Sequence, residues 1–351
     1  MNLSYAPYRL QFKHPFGTAH GIRTGTDAVF VRLEDGDAAG YGEATLPPYL
    51  IDTQISVIQE LKRIDHTLLF KQFSGYPSQL NELFPQTLSE PCRAALSTAF
   101  YDLKSRKLNR PIETLIQTAG LPKASKLAMV TLGHSELDLI EFKLSQLPNS
   151  NILKVKLGTD QDRDTIKRVI ELDCRELLLD ANQGWTEISQ VMDMIELAGE
   201  DRITGIEQPF GKNRWDLHEA LSQRTRVPIF GDESIQGTDD LIRAKGVFGG
   251  VNIKMMKCGG IDRVAEIIFK ARELHLQIML GCMSESSLGC GAMAQLAQYA
   301  DLIDLDGPWL ISNDPFQGLV WDGHGLRCLG MAGLGVDLID PTYLSWITIG
   351  A

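Results

Sequence analysis

The sequence predicts an α/β protein: a (β/α)8-type barrel carrying an N-terminal α+β capping domain. Three observations predict it. Beyond residue 122 or so, short apolar runs alternate with helical segments at a spacing of roughly 25 residues. Eight such runs are present, the number a closed parallel barrel needs. The first fifty residues follow a different rhythm, that of an antiparallel meander.

The meander comes first. Tyr8–Phe12 alternates, and Ala28–Leu33 (AVFVRL) is rich in strand formers. Asp35-Gly36-Asp37 reads as a turn, and Gly40–Glu43 resumes the strand before Pro47-Pro48-Tyr49 closes it. From Thr53 to Lys107 the pattern is helical. Ile55, Val57, Ile58, Leu61 and Ile64 mark one amphipathic helix, and Cys92–Leu108 a stronger one. Residues 1–122 are therefore expected to form the capping domain, and 123–316 the barrel. The Gly-rich tail, 317–351, is expected to leave the barrel and pack back on the first domain.

The eight barrel strands are read as Leu127–Leu132, Ile152–Lys156, Glu176–Asp180, Gly205–Glu207, Val227–Asp232, Gly250–Lys254, Gln277–Leu280 and Leu302–Asp304. An open doubly wound sheet is the alternative, but no glycine-rich phosphate loop follows a first strand.

Composition bounds the function. Hydrophobic residues make up 44% and charged residues 23%, so a packed core is expected. A net charge of −11 disfavours a nucleic-acid partner and an anionic membrane surface. The six cysteines form no CxxC pair, and none of the seven histidines pairs with another at ligand spacing. A disulfide framework and a His-based zinc site are disfavoured. No signal peptide or bilayer-spanning run is evident, so a cytoplasmic protein is expected. A Gly-x-Ser-x-Gly nucleophile elbow is missing, which leaves serine hydrolase chemistry without support. A homo-oligomer is left open.

Catalytic groups of such barrels stand at the C-terminal ends of the strands. Three consecutive strands end on acids: Asp180, Glu207 and Asp232. Converging carboxylates repel unless a cation joins them. Oxygen ligands with open positions suit Mg2+. Each acid alone reads better as a cap or loop residue; three in register do not. The second strand ends Lys154-Val155-Lys156, whose period of two puts both lysines on one side. Lys254 ends the sixth strand, across the ring. Buried lysines near other cations can act as bases near neutral pH. Lys257, three residues further, reads as a solvated loop residue. The eighth strand carries Asp304-Leu305-Asp306, again two acids on one side.

Together the segments LKVKLG (153–158), LLLDANQGW (177–185), IEQPF (206–210), PIFGDES (228–234), NIKMMKCGG (252–260) and GCMSESSLG (281–289) resemble the enolase superfamily, in its muconate-lactonizing subgroup. GYGEA (40–44) and the domain order extend the likeness over nearly the full length. The resemblance implies a (β/α)7β-type TIM barrel. It implies Mg2+ on Asp180, Glu207 and Asp232, with Lys156 and Lys254 as the two acid/base catalysts. Lys154 would help neutralise the substrate carboxylate, and Asn182 and Glu233 would orient ligands or a lysine from behind.

Within the subgroup, dipeptide epimerases of the L-Ala-D/L-Glu type carry a similar Asp-x-Asp on the eighth strand. Asp304 and Asp306 would there grip the α-ammonium of a dipeptide. The charge logic agrees, since two same-side carboxylates need a cation. The expected function is a Mg-dependent epimerase moving the α-proton of the C-terminal residue of Ala-Xaa dipeptides, L-Ala-D/L-Glu among them. The alternatives are an N-acylamino acid racemase or o-succinylbenzoate synthase of the same subgroup, or a non-catalytic binding barrel. The loops at Phe16–Thr26 and Pro47–Leu50 should cap the mouth. Arg23 or His20 would contact the substrate side chain, and a solvated position is an equal reading of Arg23. Met283 and Ser284, and Glu285 beside them, are expected on the pocket wall.

Overall fold

A computed structural model describes residues 1–350 apart from 20, 66–79, 81–83, 86, 117, 119, 125, 126, 323, 324 and 331. The meander is a sheet of β1 (Asn2–Thr18), β2 (Gly21–Asp35) and β3 (Ala38–Leu46), with strands longer than the apolar runs alone suggest. The turn at Asp35-Gly36-Asp37 takes its left-handed step at Gly36, with φ 64°. Two helices follow, α1 (Gln54–Arg63) and α2 (Glu90–Leu108). Thr53 caps α1, and Ser89 caps α2 by accepting from the Cys92 amide.

The second helix is not amphipathic as expected. It is buried on nearly all sides, because β3 lies on one side and the barrel on the other. Gly40 and Gly42 make the first contact close. A Cβ on Gly42 would stand 1.9 Å from the Ala95 carbonyl oxygen, so only glycine lets helix and strand backbones meet here.

The barrel strands are β4 (Leu127–Leu132), β5 (Ile152–Lys156), β6 (Glu176–Asp180), β7 (Ile203–Glu207), β8 (Ile229–Gly231), β9 (Gly250–Lys254), β10 (Gln277–Gly281) and β11 (Leu302–Asp304). They pair in chain order, all parallel, and β11 closes on β4. Helices α3 (Ile140–Gln146), α4 (Asp162–Leu172), α5 (Ile188–Ala198), α6 (Trp215–Ser222), α7 (Thr238–Ala244), α8 (Met255–Cys258), α9 (Ile261–Glu273) and α10 (Ser287–Ala294) fill the connections. After β11 only the four-residue α11 (Gly307–Leu310) follows, so the barrel is (β/α)7β.

Period two sorts each strand. Met129, Ile152, Leu178, Phe230, Met279 and Leu302 point inward and form an apolar plug. Gly205 and Gly250 on the flanking strands leave room for the Phe230 ring: a Cβ would meet that ring at 2.6 and 2.3 Å. The neighbours Leu153, Val155, Leu177 and Leu179 point outward into the helix layer. The next inward position above the plug is then Thr131, Lys154, Asp180, Asp232, Gly281 or Asp304 on its respective strand, with Lys156 and Lys254 a further step up. Polar residues therefore crown an apolar core by parity alone.

The tail returns to the first sheet. β12 (Phe316–Gln317), β13 (Leu319–Trp321), β14 (Leu326–Cys328) and β15 (Asp337–Leu338) form two small hairpin-like pairs. β16 (Ile347–Thr348) adds to the edge of β1. Arg106 of α2 donates to Asp337 at 2.8 Å, and the Leu334 amide to Asp102 at 2.8 Å. All six cysteines are free thiols.

Candidate active site

Ring order sets the layout. In a closed ring of eight, β5 stands across from β9, and β7 across from β11. Lys156 and Lys254 thus end opposite strands. Asp180, Glu207 and Asp232 belong to the arc between them, and Asp304 and Asp306 to the facing arc. The register aligns Lys156 with Asp180 and Asp180 with Glu207. On the other side Gly281 aligns with both Lys254 and Asp304. Its missing side chain leaves space for Asn252, whose Oδ1 would lie 2.3 Å from a Cβ there.

These groups line one cavity of about 500 Å3 under the capping loops. Lys154, Lys156, Lys254, Asp232, Asn182, Glu233, Asp304, Asp306, Met283, Ser284 and Arg23 all reach its wall. Asp180 and Glu207 lie directly beneath, fully buried.

Lysine ammonium groups hold the carboxylates. Lys156 donates to Asp180 Oδ2 at 2.5 Å, and Lys254 to Asp232 Oδ2 at 2.6 Å. The Lys154 ammonium is 1% exposed and sits 3.0 Å from Asp180 Oδ2, 2.6 Å from Glu207 Oε2 and 2.7 Å from Asp304 Oδ2. Burial alone would raise Asp180, but Lys156 and Lys154 outweigh it and hold the carboxyl at about 2. Glu207 goes the other way, to about 7, through burial and the charge of Asp180. Asp232 stays well below the usual carboxylate range, since Lys254 and Lys257 override its burial. Glu233 is pushed up to about 7 by burial and by Asp232, and its Oε2 has no hydrogen-bond partner.

Lys257 corrects the sequence reading. It is buried, not solvated: the short helix α8 turns it back beneath β8. Its three protons reach Asp232 Oδ1 at 2.7 Å, the Asp232 carbonyl at 2.7 Å and the Asn252 carbonyl at 2.9 Å. A saturated ammonium is a fixed counter-charge. Lys254, which also lines the cavity, donates to a single acceptor among the described residues, Asp232 Oδ2. Asn252 in turn donates to Glu207 Oε1 at 2.8 Å.

Two groups inside quoted motifs, Gln208 of IEQPF and Glu43 of GYGEA, gain a role only in the fold. Gln208 Oε1 accepts from the amides of Asp232 at 2.9 Å and Ser234 at 3.0 Å, clamping the end of β8 to that of β7. Its φ is 37°, and Asn182 and Gln183 also stand in the left-handed region, at 43° and 68°. Such strain persists where surroundings over-determine it, as at active sites. Glu43 of the first sheet accepts from the amides of Ser286 and Gly289, both at 3.0 Å, and so caps α10 from another part of the chain. That fixes the 282–286 loop carrying Met283 and Ser284. Glu285 is not on the cavity wall. It turns inward to accept from the Met283 amide at 2.8 Å, and burial and Glu43 push its carboxyl up to about 8.

The cap places one guanidinium between two aromatic rings. Arg23 stacks over the rings of Phe12 and Tyr49, each at 5.6 Å, and its Nη1 has no hydrogen-bond partner. Burial lowers its pKa. Tyr49 donates to Met283 Sδ at 3.0 Å, joining cap to barrel. His20, the other cap candidate, lies outside the described residues. Asp306 is held by the Thr131 amide at 2.6 Å, and burial and Asp304 raise its carboxyl to about 6.

The donor set fits a small hard divalent cation. Among the described residues no three acids stand ready as a closed metal cage, because lysines occupy their oxygens. Yet the oxygens are buried carboxylates from adjacent strands, and the charge of Asp180 adds to burial in raising Glu207. Asn182 Oδ1 beside them is buried with no partner. Hard oxygen donors of this kind suit Mg2+.

Known proteins resemble this chain over nearly its full length. The chain is 35% identical over 343 residues to an L-Ala-D/L-Glu epimerase of Bacteroides thetaiotaomicron, covering 96% of this chain and 88% of that protein. It is 31% identical over 341 residues to an L-Ala-D/L-amino acid epimerase of a Maribacter species, covering 96% and 99%. The solved structure of a dipeptide epimerase from Enterococcus faecalis, complexed with Mg and the dipeptide L-Leu-L-Tyr, superposes with a TM-score of 0.81 at 25% identity, over 95% of this chain and 98% of that one. Residues 148–340 match the family described as Enolase C-terminal domain-like. On the family match over the barrel and the full-length likeness alike, the chain belongs to the enolase superfamily.

Proposed function

We propose that the protein is a Mg-dependent dipeptide epimerase acting by two-base 1,1-proton transfer. The observation that carries this is the cross formed in the barrel mouth. Lys156 and Lys254 end opposite strands; the metal acids and the Asp304–Asp306 pair end the arcs between them. A dipeptide stretched from one acid arc to the other has its second α-carbon between the two lysines.

Asp180, Glu207 and Asp232 would hold Mg2+, which when bound offsets the charge that builds on the substrate carboxylate as the α-proton leaves. Lys154 adds a second positive charge at that carboxylate. Lys156 removes the α-proton from one face and Lys254 returns one to the other, and the roles exchange for the other stereoisomer. Asp306 and Asp304 take the α-ammonium. Asn182 and Glu233 support the metal arc. Arg23, whose Nη1 has no hydrogen-bond partner among the described residues, supports an acidic side chain on the second residue; Met283 and Ser284 close the wall beside it. Ala-Glu dipeptides fit this set best.

The division into a cap, 1–122 with the tail 317–351, and a barrel, 123–316, belongs to the same reading. So does a cytoplasmic location; no helix among the described residues is long and apolar enough to cross a membrane.

The test is a dipeptide panel with Mg2+ in D2O, read by mass spectrometry and chiral separation. Deuterium should enter the α-carbon of the second residue, fastest for Ala-Glu. Lys156→Ala and Lys254→Ala should each abolish epimerisation while allowing slow exchange of one stereoisomer. Arg23→Met should remove the preference for an acidic second residue. No exchange in any dipeptide sinks the proposal.

A further inference from the structure

Lys154 joins two clusters that serve different ends of the substrate. An ammonium offers three protons and no acceptor. Here carboxylates of three strands compete for them: Asp180 and Glu207 at 3.0 and 2.6 Å on the metal arc, and Asp304 at 2.7 Å on the facing arc. Among the described residues it is the one ammonium paired with both arcs. Lys154 is 1% exposed, so its protein partners decide where its protons go.

A divalent ion and Lys154 want the same oxygens of Asp180 and Glu207. Like charges cannot both crowd them, so the ammonium must have another acceptor when the ion arrives. Asp304 is that acceptor. Asp306 supplies the comparison within the same turn. It carries the same charge two residues on, but its hydrogen bond goes to the Thr131 amide and not to Lys154.

We propose that Asp304 is a positioning residue for the metal ion: it is the acceptor the Lys154 ammonium keeps when a divalent ion takes the Asp180 and Glu207 oxygens that the ammonium now shares. This rests on the reading of those acids as Mg2+ ligands. It gives the two aspartates of the eighth strand different tasks. Asp306 grips the substrate ammonium, and Asp304 is shared between that group and the metal arc.

The test is calorimetric titration of Mg2+ into the metal-stripped full chain, with no substrate present. Asp304→Asn should weaken Mg2+ binding about tenfold, the size of one lost charge-assisted contact. Asp304→Glu should restore most of it, and Asp306→Asn should change it less than about threefold, as a charge held at a distance. Lys154→Gln should tighten Mg2+ binding by removing the competitor, and this arm decides if Asp304→Asn does not fold. Equal losses in Asp304→Asn and Asp306→Asn, or weaker binding in Lys154→Gln, overturn the link alone. No Mg2+ binding by the unaltered protein, or unchanged binding in Glu207→Gln, overturns the metal reading and the link with it.

Discussion

Asp306→Asn is the perturbation that separates a dipeptide enzyme from one acting on acylated amino acids. Asparagine keeps the shape and an acceptor for the Thr131 amide, which Asp306 holds at 2.6 Å. Only the charge is lost. Asp304 is already paired with Lys154 at 2.7 Å, so the uncompensated negative charge facing the substrate ammonium is mainly that of Asp306. A charge-assisted hydrogen bond in such a buried site contributes about 1.5–3 kcal/mol. Its loss corresponds to a rise in KM for a dipeptide of about 10- to 150-fold. An N-acetylated analogue lacks the ammonium and should change about twofold or less.

The pH profile adds a second arm. Burial and Asp304 raise the Asp306 carboxyl to about 6. Below that pH it is protonated and neutral, while the substrate α-ammonium, with a pKa of about 8, stays charged. KM for dipeptides should therefore climb as pH falls through 6 in the unaltered enzyme and stay flatter in Asp306→Asn. Initial rates on Ala-Glu and N-acetyl-Ala-Glu from pH 5 to 8 measure both, the numbers being roughly the flanks of that pKa. Equal KM changes for the two substrates would refute the ammonium role.

Two further outcomes concern the scaffold. Lys257→Met should lower stability by about 3 kcal/mol or more, because it leaves Asp232 Oδ1 and two buried carbonyls without a donor, Lys254 remaining only on Oδ2; an unchanged urea midpoint would contradict this. Gly42→Ala should destabilise by about 1–3 kcal/mol, since the new Cβ would sit 1.9 Å from the Ala95 carbonyl oxygen and push α2 off β3. A thermal midpoint equal to that of the unaltered protein would show that the helix yields freely.

Much of the site was legible because strand parity is a local property. Once Lys154-Val155-Lys156 is a strand end, both lysines share one side whatever else the chain does, and barrel closure makes that side the inner one. The same holds for Asp180, Glu207 and Asp304, and closure in chain order then sets Lys156 opposite Lys254. What stayed hidden depends on distant partners. Lys257 reads as a loop residue from its spacing; helix α8 folds it under Asp232, 25 positions away in sequence. Gln208 shows no chemistry of its own until the ends of β7 and β8 lie side by side. Glu43 caps a helix 243 residues further on, and Glu285 turns inward to the Met283 amide. The sequence by itself determined which strand ends carry charge, since alternation needs only neighbours along the chain. The tertiary structure decided which charges are spent on each other, since buried ammonium and carboxylate groups pair with whatever the closed barrel brings within reach.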